Sequence, residues 1–568
     1  MRIRNIRILT WILFAILLSG LFNLQILEGN SYFSLSNKNC IRVIPYEGIR
    51  GRIFDRAGEI IVDNRVSYNI SVLYNEFKKS PDTKAKLAQI LGKPAAWIDK
   101  TVKRNFVSAF TPVVLVKDAP KKTAFFIEEN KFNLPGVMVQ TVPARRYPYG
   151  NIASHILGYL APIDRWRITR LKDYGYKLKD VVGFGGVEET LEQVLRAEEG
   201  GTQVQVDHRG RIHKVLGFKP AGNGRDVRLT IDIKIQKIVE EAFIGKKGAA
   251  VLMDVDTGRI IALASAPDFY PGSFLEAEGA AYVKQILVSH DAPLFNRAIS
   301  GKYPLGSIFK VISAVAALET KKINWEKRVY CPGKMLIGNK EFNCWSLHHS
   351  QDLIEAMAHS CNVYFYRLAL LLGADRLSEY ALKFGLGRSS GIDLPYETGG
   401  NVPSALGRRM KLRSWYDGDT ANFGIGQGDL LVTPLQTARL MAALANGGRL
   451  VRPYIVEKVG EEERAPKDRV NLNISPGTLE SVNEGIKEVV NLDTGTANIG
   501  DWQGLKIAGK TGTAQVQGKL SHGWFAGFFP YDKPKVAFCV FLEHTGPSIH
   551  SVILAQAIFT RLKEEKLI

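Results

Sequence analysis

Residues 303–310, YPLGSIFK, are the stretch on which the fold and the chemistry of this chain depend. Pro304 and Gly306 interrupt regular structure, and the following residues are apolar and compatible with a helix, so Ser307 is expected to open a buried helix. Lys310 follows three residues later, on the same helix face. A buried lysine with a lowered pKa can take a proton from a serine nucleophile. Taken alone, however, the pair favours a helix-capping serine and a solvated lysine.

Two later motifs change this interpretation. They are Ser360-Cys361-Asn362, just before an apolar run, and Lys510-Thr511-Gly512-Thr513, inside a strand-like segment. Together with Ser307 and Lys310 they form S-x-x-K, S-x-N and K-T-G in that order. This ordered set is typical of penicillin-binding proteins and serine β-lactamases.

Each residue of the first two motifs has a predicted catalytic role. Ser307 is the nucleophile, and Lys310 is the base that removes its proton. Ser360 can relay a proton between Lys310 and a leaving amine. Asn362 offers an amide that can hold either the substrate or the lysine.

The third motif predicts how the substrate is bound. Lys510, which we also count among the catalytic residues, and the hydroxyls of Thr511 and Thr513 can bind a terminal carboxylate. Gly512 lets a substrate backbone lie against the strand. The backbone N–H groups of Ser307 and Thr513 are the expected oxyanion donors.

The composition indicates a folded protein with two or three domains. The chain has 568 residues, of which 45% are hydrophobic and 23% are charged. Its formal net charge of +19 suits an anionic membrane surface or an acidic polymer. Nucleic acid would be the default partner of a basic cytosolic protein, but the N-terminal segment argues against that location.

This N-terminal segment predicts a single membrane anchor. Ile8–Leu27 carries no charge and has the length of about twenty residues that spans the hydrocarbon core of a bilayer. Arg2, Arg4 and Arg7 precede it, so the N-terminus is expected in the cytoplasm and the bulk of the chain on the extracytoplasmic side of the membrane. A cleavable signal peptide is the alternative, but the run is long and no small-residue cleavage site closes it.

The remaining sequence predicts an α+β protein with three parts. Residues 1–28 are the cytoplasmic N-terminus and anchor, 29–220 a β-rich pedestal, and 225–568 the catalytic domain. Within the pedestal, 75–135 mixes amphipathic helices with an apolar strand that begins at Phe110, as expected for an inserted head subdomain. The boundary is the glycine- and proline-rich segment 219–224.

The catalytic domain is expected to contain one antiparallel sheet covered by helices. Strands are predicted at 227–232, in a hairpin at 249–265 that turns at 256–258, around Gly512, and at 536–543, with a helix at 233–243. The glycine cluster at 423–428 lacks the context of a dinucleotide site, and we interpret it as a loop near the active site.

With these segments the chain resembles the class B penicillin-binding proteins, and in particular their elongation-specific subgroup. The resemblance covers nearly the whole chain and includes the motifs Arg50-Gly-Arg-Ile-Phe-Asp-Arg56, Asn296-Arg-Ala298, Thr433-Pro-Leu-Gln436 and Trp524-Phe-Ala-Gly-Phe528. The subgroup assignment depends on Cys331-Pro-Gly333, Cys344-Trp345 and Gly391-Ile-Asp-Leu-Pro-Tyr-Glu397. Leu305 departs from the family, which more often has a second proline there.

The resemblance implies a peptidoglycan D,D-transpeptidase with a dimerisation-type pedestal. Ser307 would attack the penultimate D-Ala carbonyl of a stem peptide, and β-lactams would acylate the same serine. No cofactor is required for this chemistry. The implied partners are lipid-linked nascent glycan, a membrane-embedded glycosyltransferase and other proteins of the elongation complex, and not nucleic acid.

Three cysteines and a histidine crowd around the second motif: Cys331, Cys344, His348 and Cys361. One interpretation is a Cys331–Cys344 disulfide with Cys361 buried and free, since the compartment permits disulfides. The other is a tetrahedral structural zinc that steadies the loop bearing Ser360, with His349 or His359 as alternatives to His348. Some members of the elongation subgroup carry a metal at the corresponding place. Cys40 is predicted to be structural and Cys539 to lie in the core.

Other functions share part of this pattern. A serine β-lactamase is a compact enzyme. The N-terminal region of this chain and the spacing between Asn362 and Lys510 are both too long for one. A β-lactam sensor would need a cytoplasmic signalling domain or several membrane spans. Two alternatives stay open: a septal transpeptidase of the same class, and a membrane-anchored scaffold that activates a glycan polymerase.

Overall fold

The computed structural model of the protein describes residues 2–32, 41–46, 48–106, 112–171, 176, 180–206, 212–410, 412, 414–500, 502 and 504–568. Packing divides the chain into two units. Unit 1 comprises Met1–Gly51, Asn64–Ala144 and Arg196–Arg225, and unit 2 comprises Arg52–Asp63, Arg145–Leu195 and Asp226–Ile568. Unit 2 thus takes in two segments that precede the boundary expected at 219–224. The domain limits 1–28, 29–220 and 225–568 stay a prediction, because a division by contacts does not test them.

Unit 1 begins with an apolar helix. Arg2–Phe22 is α-helical and continues as a short π-helical segment, Asn23–Leu27. The most apolar part of Ile3–Leu27 has a mean hydropathy of 1.9 and is not buried by the rest of the protein. The stretch is long enough to cross a membrane. This stretch contains the anchor predicted at 8–27.

Unit 1 also contains two β structures. One is a three-stranded antiparallel sheet in the order Ile41–Tyr46, Gly200–Val206, Ile212–Lys219. In the other, Ile60–Val72, which enters unit 1 at Asn64, pairs with Val113–Val116 and Val137–Arg146.

Short helices pack on this second β structure, as expected for the region 75–135. They are Tyr74–Lys78, Pro81–Leu91, Ala95–Asn105 and Lys121–Glu129, followed by the 3₁₀ turn Lys131–Asn133. Leu87 and Ile98 from the helices share one core with Ile70 and Val113 from the strands. The first part of the strand expected from Phe110, and also Cys40, lie outside the described residues.

Unit 2 is built on a five-stranded antiparallel sheet. Its strands are ordered Ile260–Ala266, Gly248–Asp254, Val536–Leu542, Lys519–Phe529 and Ala508–Val516. The first two form the predicted hairpin. Along the central strand Val536–Leu542, Cys539 and Phe541 belong to one core while Phe538 and Val540 belong to the other, so both faces are buried. The prediction that Cys539 is a core residue is confirmed.

Helices cover both faces of this sheet. Ile233–Glu241 and Ile549–Glu564 contribute to one core, and Lys310–Glu319, Asn362–Leu372 and Pro434–Ala445 contribute to the other. The expected α+β class, with an antiparallel sheet covered by helices, is confirmed.

One strand prediction was wrong in its pairing. Val227–Leu229 does not join the central sheet but pairs with Ile53–Phe54 and with Val456–Val459. The apolar pattern identified the strand, but it carries no information on which distant segment becomes its neighbour.

The other elements of unit 2 are mostly short. The helices are Ser154–Leu157, Arg165–Leu171, Gly186–Thr190, Glu192–Leu195, Ala280–Val288, Leu353–Ala358, Ala374–Lys383, Ala405–Met410, Asp417–Gly424 and Pro476–Asn491, with 3₁₀ turns at Pro271–Phe274, Ala277–Gly279 and Gly306–Phe309. The strands are Tyr159–Pro162, Val181–Phe184, Val329–Cys331, Lys334–Ile337, Lys340–Asn343, His349–Gln351, Arg449–Val451, Glu462–Glu463 and Arg469–Asn471.

Candidate active site

The predicted nucleophile lies in a tight turn in front of a buried helix. Ser307 belongs to the 3₁₀ turn Gly306–Phe309, is half-buried, and leads directly into the helix Lys310–Glu319. Gly306 has a φ of +63°, and a Cβ atom there would lie only 2.8 Å from the carbonyl oxygen of Thr513. Only glycine fits this turn, because both its conformation and its close approach to the strand exclude a side chain.

Lys310 connects the first motif to the second. Its side chain is fully buried, and its Nζ donates hydrogen bonds to the carbonyl oxygen of Ser360 (2.7 Å), to Ser360 Oγ (3.1 Å) and to Asn362 Oδ1 (2.7 Å). Burial lowers the pKa of the Lys310 ammonium from 10.5 to about 8. The structure therefore brings Lys310, Ser360 and Asn362 into direct contact, around a lysine that loses its proton more readily than one in water.

Ser360 is held in an unusual backbone conformation. It has a φ of +51° although it is not glycine, and its side chain is buried. Non-glycine residues adopt this conformation only when their surroundings enforce it. The contacts that Lys310 makes with Ser360 depend on that conformation.

The third motif lies on the edge strand of the central sheet. Lys510 and Thr511 are buried in Ala508–Val516, whereas the Thr513 side chain is exposed. Burial, and secondarily the charge of Lys310, holds the pKa of the Lys510 ammonium well below its usual value. A Cβ at Gly512 would lie 2.8 Å from the carbonyl oxygen of Leu305, so the strand packs directly against the approach to Ser307.

Further contacts, which no motif indicated, hold the turn that bears Ser307. The Gly306 N–H donates to the Gly426 carbonyl (2.8 Å), and Gln427 Nε2 donates to the Thr513 carbonyl (3.2 Å). Trp524 Nε1 donates to the Pro304 carbonyl (3.1 Å). The glycine cluster at 423–428 therefore lies beside the site, as predicted. The individual contacts of Gln427 and Trp524 had no signal in the sequence.

The structure brings the four predicted metal-ligating side chains together. One ligand atom from each of Cys331, Cys344, His348 and Cys361 lies within 4.8 Å of all the others. His348 Nδ1 is 3.4 Å from Cys344 Sγ and 3.8 Å from Cys331 Sγ. The two sulfur–nitrogen distances are close to the value of about 3.5 Å expected when a Zn–S bond of about 2.3 Å and a Zn–N bond of about 2.0 Å meet at a tetrahedral angle. The described cysteines are all free, so the Cys331–Cys344 disulfide is not formed.

Local contacts also favour a thiolate at this cluster. A hydrogen bond from the Cys361 thiol, together with backbone N–H groups, lowers the pKa of the Cys344 thiol, and the same pairing raises that of Cys361. The Asn362 N–H lies 3.2 Å from Cys344 Sγ. His348 Nε2 is buried without a hydrogen-bond partner among the described residues, while Nδ1 faces the sulfur atoms.

The two alternative histidines do not belong to this set. His359 has both ring nitrogens engaged elsewhere, with Gln351 and with Thr494. His349 is exposed on the strand His349–Gln351. Of the three histidines considered, the structure therefore places His348 with the cysteines.

Comparison with known proteins gives matches to both parts of the chain. Residues 248–563 match the penicillin-binding protein transpeptidase domain, and residues 45–229 match the penicillin-binding protein dimerisation domain. The chain is 30% identical to the peptidoglycan D,D-transpeptidase MrdA of Haemophilus influenzae over 567 aligned residues, which cover 94% of this chain and 87% of that protein.

Two solved structures have a similar fold. The penicillin-binding protein PBP2 of Helicobacter pylori, in complex with MreC, superposes with a TM-score of 0.82 at 24% identity, over 93% of this chain and 100% of that one. A chain from a peptidoglycan synthase complex that coordinates polymerization and crosslinking superposes with a TM-score of 0.74 at 27% identity, over 98% of each chain.

Proposed function

The chain belongs to the penicillin-binding protein transpeptidase family, and from this premise we propose that it is a peptidoglycan D,D-transpeptidase that cross-links stem peptides during cell-wall elongation. The observation that carries the proposal is the buried contact of Lys310 with Ser360 and Asn362 one turn after Ser307. Two separate sequence motifs meet there in an arrangement suited to serine acylation, and the third motif lies on the neighbouring edge strand.

The proposed reaction proceeds through an acyl-enzyme on Ser307. Neutral Lys310 removes the hydroxyl proton as Ser307 Oγ attacks the penultimate D-Ala carbonyl. The backbone N–H groups of Ser307 and Thr513 stabilise the oxyanion. Ser360 passes a proton to the departing D-Ala amine as the peptide bond breaks, leaving an ester on Ser307. An amine of a neighbouring stem peptide then attacks this ester and releases the enzyme.

The edge strand Ala508–Val516 is the proposed binding site for the acyl donor. A peptide can pair with the strand along Gly512, where no side chain intervenes. The hydroxyls of Thr511 and Thr513 and the ammonium of Lys510 then bind the terminal carboxylate. A bound carboxylate favours the charged form of Lys510, which burial otherwise disfavours.

This chemistry needs no cofactor. We propose that Cys331, Cys344, His348 and Cys361 hold a structural zinc ion, which supplies a crosslink and takes no part in acyl transfer. The residues fit such an ion because the backbone N–H of Asn362 already donates to Cys344 Sγ, as suits a thiolate ligand. The cluster would thereby fix the segment that bears Ser360 and Asn362.

The protein is anchored to a membrane, and we propose a specific topology and partners for it. Arg2, Arg4 and Arg7 stay in the cytoplasm and the bulk of the chain is periplasmic. The similar chain within a synthase complex that couples polymerization to crosslinking supports a membrane-embedded glycosyltransferase as partner. Similarity to MrdA over nearly the whole chain supports the elongation machinery rather than a septal complex.

Labelling with a fluorescent penicillin tests the proposal. Full-length protein in detergent should form a stable adduct, release D-Ala from a pentapeptide donor and exchange it for an added D-amino acid. Ser307→Ala should abolish labelling, release and exchange, whereas Ser481→Ala, which changes a half-buried serine bonded to the Gly477 carbonyl of its own helix, should abolish none of them. Rapid turnover of the adduct would indicate a hydrolase. Folded protein that takes no label would support the scaffold alternative instead.

A further inference from the structure

The segment 492–498, which follows the helix Pro476–Asn491, contacts the residues just before the second motif and also contacts the third motif. Thr494 Oγ1 is hydrogen-bonded to His359, the residue before Ser360, and Thr496 Oγ1 is hydrogen-bonded to Thr511. We propose that these two threonines are positioning residues with separate tasks. Thr494 holds Ser360 for proton transfer, and Thr496 orients Thr511 for carboxylate binding; this inference rests on the proposed function.

Thr494 acts through the imidazole ring of His359. His359 Nδ1 contacts the Gln351 amide, and Nε2 lies 2.7 Å from Thr494 Oγ1. With the Gln351 Nε2 as donor to Nδ1, the ring carries its proton on Nε2 and donates it to Thr494 Oγ1. The carbonyl oxygen of His359 also accepts from Trp345 Nε1 at 3.0 Å. Ring and backbone of His359 are therefore both held.

Ser360 needs this support because its own conformation is unfavourable. Its φ of +51° is rare for a residue with a side chain, and it persists only where neighbours enforce it. The Ser360 carbonyl and hydroxyl both accept hydrogen bonds from Lys310 Nζ. If Ser360 relaxed to a negative φ, its carbonyl and hydroxyl would both move away from Lys310 Nζ and the proton relay would be broken.

Thr496 acts on the third motif by a hydroxyl pair. Thr496 Oγ1 and Thr511 Oγ1 are 2.8 Å apart, and the Thr496 N–H also donates to the Ala358 carbonyl at 3.3 Å. Once Thr511 donates its hydroxyl proton to a substrate carboxylate, its oxygen is free to accept from Thr496. The pair thus aligns the Thr511 hydroxyl towards the ligand.

Gly495 keeps the two threonines at a fixed separation. A Cβ atom there would lie 2.4 Å from the Val489 carbonyl oxygen, so the segment folds tightly against the end of its helix. The Gly495 N–H donates to the Leu492 carbonyl at 2.8 Å, which closes the turn. One tight turn therefore directs the Thr494 hydroxyl to His359 and the Thr496 hydroxyl to Thr511.

The test separates the two tasks by their kinetic signatures. Thr494→Val and Thr496→Val each replace a hydroxyl by a methyl group of similar size. For acylation of the full-length protein by a penicillin, we expect Thr494→Val to lower the acylation rate constant about tenfold, with the dissociation constant of the preceding complex within about twofold. We expect Thr496→Val to raise that dissociation constant about tenfold and to leave the rate constant nearly unchanged.

Conservative and distant variants provide the controls. Thr494→Ser and Thr496→Ser keep the hydroxyl and should restore wild-type values. Thr320→Val removes a hydroxyl that bonds only backbone carbonyls within its own helix, and it should change neither constant. If Thr494→Val does not fold, Gln351→Leu removes the partner of the other ring nitrogen and should slow acylation in the same way.

The outcomes distinguish this inference from the proposed function. Three results would overturn the positioning roles even if labelling still depended on Ser307. The two valine variants could change both constants equally, they could change neither constant, or the two serine variants could fail to restore wild-type values. Absence of label on the folded wild-type protein would instead refute the proposed function, and the inference with it.

Discussion

Among single residues, Lys310 is the proposed base and would determine when Ser307 can react. Burial lowers the pKa of its ammonium to about 8, and only the neutral amine can accept a proton from Ser307. The reactive fraction therefore rises as pH increases towards that value. We expect the acylation rate to rise about tenfold per pH unit below about pH 8 and to level off above it. A profile that is flat between about pH 6 and about pH 9, followed with a fluorescent penicillin, would contradict this role.

The same residue can be tested by substitution. Lys310→Arg keeps a positive charge but stays protonated at every accessible pH, so it cannot serve as a base. We expect acylation to fall at least about a hundredfold, while the protein stays folded. Lys322→Arg, at an exposed position just beyond the same helix, should acylate normally. Near-normal acylation of Lys310→Arg would assign the base to another group.

At the scale of elements, the turn Gly306–Phe309 depends on close packing against the edge strand. Gly306→Ala would place a Cβ 2.8 Å from the Thr513 carbonyl oxygen in a conformation unfavourable to alanine. Gly150 has nearly the same φ of +65° but has no atom within 4 Å of such a Cβ, which makes Gly150→Ala a matched control. We expect the control to lose about 1 to 2 kcal/mol of unfolding free energy and Gly306→Ala to lose more, together with its penicillin labelling. Equal losses of stability would show that the turn can yield.

The proposed zinc site in the segment from Val329–Cys331 to Asn362–Leu372 provides a second test at this scale. We expect the purified protein to contain about one zinc per chain by elemental analysis, because three thiolates and one imidazole complete a tetrahedral set. Cys344→Ser should lose the metal, lower the melting temperature and slow acylation. Cys539→Ser, in the central strand, should keep its zinc even if the core is weakened. If the metal is lost completely and acylation does not change, the cluster does not support the segment that bears Ser360 and Asn362.

At the scale of the whole molecule, the anchor and the charges around it determine the side of the membrane on which the site lies. Alkaline phosphatase fused after Ile568 should be active, since that enzyme matures only outside the cytoplasm. Green fluorescent protein fused before Met1 should fluoresce normally. An inactive C-terminal phosphatase on a stably expressed fusion would reverse the proposed topology.

Much of the fold could be predicted because it depends on local patterns. The apolar run 8–27, the hairpin that turns at 256–258 and the helix that follows Ser307 all arise from residues close together in sequence. Their periodicity and turn residues are sufficient to identify them. The pairing of Val227–Leu229 could not be predicted in this way, because its partners Ile53–Phe54 and Val456–Val459 are far away along the chain.

By itself, the sequence identified the motifs of this protein: a serine and a lysine one turn apart, a second serine with an asparagine, and a strand that is predicted to bind carboxylate. Only the tertiary structure decided that His348 and not His359 joins the cysteines, and that Thr494 reaches His359 while Thr496 reaches Thr511. The physical reason is that spacing along the chain determines which side chains share a helix face or a strand. Contacts between distant segments depend instead on how the sheet pairs and how the helices pack on it.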